Sequence, residues 1–77
     1  MKYIILKMPH GREHPILFPA AFQHSDIATA MVALYPRTQI VAAGTCIMHE
    51  VGCGGEATTL NLPSRGIVDA ELIEKTL

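Results

Sequence analysis

Charge is scarce in this chain, and neither sign gathers anywhere along it. Only 17% of its 77 residues are charged and the formal net charge is −1, against roughly 25% charged residues in ordinary soluble domains. Lysines and arginines stand singly, so no basic face is available to follow a phosphate backbone and no nucleic-acid partner is expected. Long apolar runs are lacking as well. No stretch approaches the roughly 20 residues that cross a bilayer, and no small-residue cleavage site follows Met1 to Met8, which points to a cytoplasmic protein. Cysteine is limited to Cys46 and Cys53, too few for the dense framework of a small secreted scaffold, so two reduced thiols are expected.

Apolar residues, by contrast, make up 49% of the sequence. A chain of this length forms one domain, 1–77, and buries only about 60% of the surface its unfolded form exposes. Greasy surface is therefore expected to face a partner, most simply a second copy of the same chain.

The pattern along the chain reads ββαββα, an α+β class with a small antiparallel or mixed sheet of two hairpins and two helices. Lys2 to Met8 reads as a strand rich in Ile and Tyr. A polar turn at His10 to His14 leads to the short strand Ile16-Leu17-Phe18, bracketed by Pro15 and Pro19, which suits a sheet edge because proline cannot donate to a ladder. From Ser25 the spacing of Ile27, Met31 and Leu34 changes to that of a helix, with Ser25 or Asp26 as its N-cap and Pro36 closing it at Tyr35. A long hairpin follows, its arms Gln39 to Met48 and Ala57 to Leu62 and its tip Val51 to Glu56. Both faces of the first arm are apolar, which places it inside a sheet, Ile47 in a core or interface, and Gly44 as a candidate bulge. The last helix reads as Asp69 to Lys75, with Asp69 as N-cap and Val68 stapled to Ile73.

Chemistry-bearing residues concentrate near the hairpin tip. Cys46, His49 and Cys53 offer sulfur and imidazole, a set that zinc accepts if His10 or His14 supplies a fourth ligand; against it, strand alternation puts Cys46 and His49 on opposite faces. A Cys53 nucleophile beside His49, oriented by Glu56, is the catalytic alternative, but so small a domain has little room for a substrate pocket. Gly52, Gly54 and Gly55 suit either a phosphate-binding nest or the positive-φ positions of a turn; no G-x-x-x-x-G-K is present. His10 and His14 lie among Pro9, Gly11 and Pro15 and read as turn residues rather than a helical metal pair. Arg37 and Arg65 follow proline-marked breaks and suit either loop charge or contact with an acidic partner.

Taken together, the phrases YIILK, GREH, ILFP, HSDIA, IVAAG, the Cys-Gly turn, TLNL and S-R-x-x-x-D-x-x-L-I give the whole chain a resemblance to small uncharacterised proteins of tailed phages and prophages. The resemblance implies a phage accessory protein that acts in the host cytoplasm and binds and disables a host factor. It carries no functional residue over. The expectation that follows is a non-enzymatic homo-oligomeric protein-binding module without cofactor, metal, nucleic-acid or membrane partner, its binding residues Arg37, Gly52, Cys53, Gly54, Gly55, Glu56 and Arg65. One alternative is a sponge for a nucleotide-like ligand, held by glycine N–H groups and Arg65. Another is a zinc-stabilised module.

Overall fold

The structure is a computed structural model that describes residues 1–77 except Glu50 and Thr59. Tyr3, Ile4, Ile5 and Leu6 are all wholly buried in β1 (Lys2–Lys7). A strand buried on both faces needs cover on both, and each such large apolar side chain contributes roughly 1.5–3 kcal/mol when removed from water. β1 pairs antiparallel with β2 (Glu13–Phe18) on one side and with β3 (Gln39–Ile47) on the other, and β3 pairs in turn with β4 (Gly52–Gly54). The sheet order is β2-β1-β3-β4. Because β2 and β3 both run against β1, they are parallel to each other, and the connection between them carries α1 (His24–Leu34).

Alternation along β1 separates two cores. Ile4 and Leu6 pack with Phe18, Ala28 and Ala43 beneath α1, joined by Ala57 from a small ribbon of β5 (Glu56–Ala57) and β6 (Leu62–Pro63). Tyr3 and Ile5 face the other way, against Ala42, Cys46 and Ile73 of α2 (Ile67–Thr76). The fold is thus α+β, with one helix on each face of an antiparallel sheet. The inner stripe of α1 is His24, Ile27, Ala28 and Met31, at the three- and four-residue spacing of a helix, whereas Leu34 is exposed.

Several sequence expectations are corrected. The second arm of the long hairpin is β4, only three residues, and not Ala57 to Leu62. Gly55, at φ 74°, turns the chain out of the sheet, and Ala57 and Leu62 then pair with each other. Pro15 lies inside β2, opposite Ile5, which an edge strand tolerates. The bulge is at Val41, since Ile5 faces Ala42 while Leu6 faces Ile40. Gly44 serves close packing instead: a Cβ there would collide with the Gly54 carbonyl oxygen and crowd Ser64 and the Tyr3 hydroxyl. Gln23, not Ser25 or Asp26, is the N-cap of α1, and Gly66, not Asp69, that of α2. Val68 is exposed and Ile47 is 59% exposed, so neither staple nor buried Ile47 exists. No helix among the described residues is long and apolar enough to cross a membrane.

Candidate functional site

Asp69 is the third residue of α2 and is wholly buried. An ionised carboxylate only accepts hydrogen bonds, and burying one is costly unless donors surround it. Three do. The Tyr3 hydroxyl donates to Oδ2 at 2.6 Å, the Arg65 backbone N–H to the same oxygen at 2.8 Å, and Arg65 Nε to Oδ1 at 2.8 Å. The phenol has one proton, which goes to the carboxylate, so the Ser64 hydroxyl, 2.6 Å from the phenol oxygen, is the donor there. Ser64 Oγ in turn accepts the Gly66 N–H at 3.0 Å and so fixes the turn that leads into α2.

The far side of the Arg65 guanidinium meets Glu13 fork to fork, with Nη1 at 3.1 Å from one carboxylate oxygen and Nη2 at 2.9 Å from the other. This planar two-bond pairing is the geometry for which arginine is suited and lysine is not. Arg65 therefore ties the start of β2 to the start of α2. Its hydrogen bonds hold the Glu13 carboxyl below the usual carboxylate range, and those to Glu13 foremost raise Arg65 itself. Burial, and then the bond to Asp69, pushes the Tyr3 phenol far above its ordinary range. Among the described residues every buried side-chain nitrogen and oxygen has a partner.

A second cluster is made of sulfur. Cys46 faces Cys53 in register across β3 and β4, and the Cys46 thiol donates to Met48 Sδ at 3.3 Å. Neither cysteine is in a disulfide. Burial pushes both thiols up, and the neighbouring Cys46 adds to the effect on Cys53. A nucleophilic cysteine needs the opposite shift, toward thiolate.

Of the expected binding residues, Gly52 to Glu56 are consecutive and the Gly55 carbonyl accepts the N–H of Ser64, the neighbour of Arg65, at 2.9 Å, whereas Arg37 lies in a different depression. Gly52, Cys53 and Gly54 form β4, so only Gly55 of the tip glycines has positive φ and no nest of successive N–H groups is formed by β4. Glu56 opens the outlying ribbon and is exposed, as is His49 in the β3–β4 loop. Arg37, at φ 75° after α1, lines a shallow depression with Lys7, Met8, Pro9 and Gln39 and takes no part in the Asp69 network. Arg65 is engaged by two carboxylates rather than open to an anionic ligand. Among the described residues no group of three or more His, Cys, Asp or Glu is placed to hold a metal ion.

Sequence reasoning missed Tyr3, Glu13, Asp69 in its buried role, and His24. The last is buried at the start of α1, 2.9 Å from the Gly44 carbonyl through Nε2 and edge-on to Phe18. No helical spacing signalled the Arg65–Asp69 pair, because Arg65 precedes Gly66, the N-cap of α2. No family model matches the chain, and neither the curated proteins nor the solved structures yield a match.

Proposed function

We propose that the protein is a non-enzymatic binding module that works as a homo-oligomer and engages a protein partner through apolar surface at the end of α1. The observation that carries this reading is the exposure of Val32, Leu34 and Tyr35, three large apolar side chains within four residues, with Leu34 65% in solvent. They belong to a set of nine such exposed side chains among the described residues, which also includes Phe22, Ile67 and Leu77. Val32 and Tyr35, three residues apart, lie on one side of the helix end, and exposed apolar surface of this kind on a small domain marks a protein-contact surface. The polar groups, in contrast, are consumed by the fold: the Asp69 network leaves no buried donor or acceptor unpaired among the described residues. Arg37, exposed two residues beyond Tyr35, supplies a charged rim. In the setting that the phage resemblance implies, the partner is a bacterial host factor that the protein disables in the host cytoplasm.

Light scattering across a concentration series tests the reading, with Leu34→Lys as the probe because a lysine in the last turn of a helix suits its dipole. An oligomer that Leu34→Lys dissociates without unfolding the chain is expected. A wild-type chain that is monomeric at every concentration overturns the reading. Crosslinking in a bacterial lysate then compares what wild type and variant hold.

A further inference from the structure

The three sulfur atoms of Cys46, Met48 and Cys53 share one face of the sheet. Directly paired residues of neighbouring strands project to the same side, which aligns Cys46 with Cys53, and Met48, just beyond the end of β3, packs into the same cluster. There Cys46 Sγ and Met48 Sδ are 3.3 Å apart. Cys46 is buried among Tyr3, Ile5, Ala42 and Ile73, while Met48 and Cys53 are half-buried and leave one side of the cluster open. Among the described residues no group of three or more His, Cys, Asp or Glu is placed to hold a metal, so the thioether of Met48 is what completes a third donor.

We propose that Cys46, Met48 and Cys53 form a three-sulfur site for a soft monovalent ion, copper(I). Thiolate and thioether sulfur are the donors that select copper(I) among biological metals, whereas hard cations require oxygen ligands. Zinc in a structural site takes four nitrogen or sulfur donors, and a set of two thiolates and one thioether falls short of that number; copper(I) is satisfied by three. On binding, the two S–H bonds break, two copper–sulfur bonds form, and both protons pass to solvent. The Met48 thioether donates a lone pair without losing a proton, and the metal's oxidation state does not change. The resulting site carries one negative charge. The N-terminal ammonium of Met1, whose nitrogen is 3.3 Å from the Cys46 carbonyl oxygen, is a positive charge close enough to offset part of that of the site. The site spans β3, the β3–β4 turn and β4, so an ion seated there fastens the shortest strand of the sheet.

The test is an anaerobic titration of the reduced protein with copper(I), supplied as its acetonitrile complex and contested by a chromophoric copper(I) chelator. One ion per chain, with near-ultraviolet thiolate-to-copper absorption and three sulfur scatterers by X-ray absorption on the wild type, is expected. Cys53→Ser should lose the site, and Met48→Leu, a conservative change at a half-buried position, should weaken binding at least about tenfold. Copper(I) held equally well by wild type and Cys53→Ser, or a wild-type spectrum with two sulfur scatterers and no effect of Met48→Leu, overturns the proposal.

Discussion

The Tyr3 hydroxyl donates to the Asp69 carboxylate at 2.6 Å across 66 positions of sequence, joining the first strand to the last helix beneath the sheet. The bond ties chain ends that no intervening turn brings together. Around it, Ser64, Arg65 and Glu13 complete a network in which each group fills another's unmet valence.

Removing Asp69 should therefore be costly. Asp69→Ala takes the acceptor from the buried Tyr3 phenol and from the Arg65 backbone N–H, while the Arg65 guanidinium keeps Glu13, and each buried donor left unmet costs about 1–3 kcal/mol. Tyr3→Phe removes two hydrogen bonds, the one to Asp69 and the one from Ser64, and should cost about 1.5–3 kcal/mol. Urea unfolding followed by circular dichroism measures both as shifts in midpoint.

Acid should loosen the same network from its outer end. The Glu13 carboxyl is held below its ordinary value of 4.5 by Arg65, so the folded state favours the carboxylate and Glu13 adds stability above that pH. The contribution is lost as pH falls from 4.5 through the lower folded value. Melting temperature measured from pH 7 to pH 2.5 should drop more steeply for the wild type than for Glu13→Gln across that interval. Equal slopes would show that the ion pair has no thermodynamic weight.

Gly44→Ala should destabilise by at least about 1–3 kcal/mol, the usual range for overpacking. The added methyl meets the Gly54 backbone oxygen, which has no rotamer to yield, so β4 must move away from β3. Hydrogen exchange would show the loss as faster exchange at the amides of Thr45 to Ile47 and Gly52 to Gly54, with β1 and β2 unchanged.

Ile47 and Ile73 should part company despite their shared chemistry. Ile73 is wholly buried against Tyr3, Ile5 and Ala42, and Ile73→Ala should cost about 2–5 kcal/mol. Ile47 is exposed, so Ile47→Asp should change chain stability by only about 0.5 kcal/mol. Denaturant melts at a fixed low protein concentration compare the two.

Local chemistry made the broad architecture legible. Proline spacing marked β2 as an edge strand, the Ile27–Met31 interval marked α1, and the two apolar faces of β3 placed it inside the sheet. Asp69 read as the N-cap of the last helix, which gave no sign that it would be wholly buried. What escaped was every relation set by partners far along the chain. Gly52 to Gly54 looked like a turn because glycine permits positive φ, yet they lie extended as β4 beside Thr45, Cys46 and Ile47. Ile47 looked like core because its neighbours are apolar; its exposure follows from how little of that face the ribbon and α1 cover.

The sequence by itself determined the class of the fold, the two helices and the edge position of β2, because each rests on periodicity or backbone restriction within a few residues. Tertiary structure alone decided that Tyr3 would meet Asp69, that Glu13 would clasp Arg65, and that Cys53 would lie directly opposite Cys46. The physical reason is register. A hydrogen bond or a sulfur contact depends on which face each strand residue turns to and which residue lies opposite, and packing against two helices settles both together.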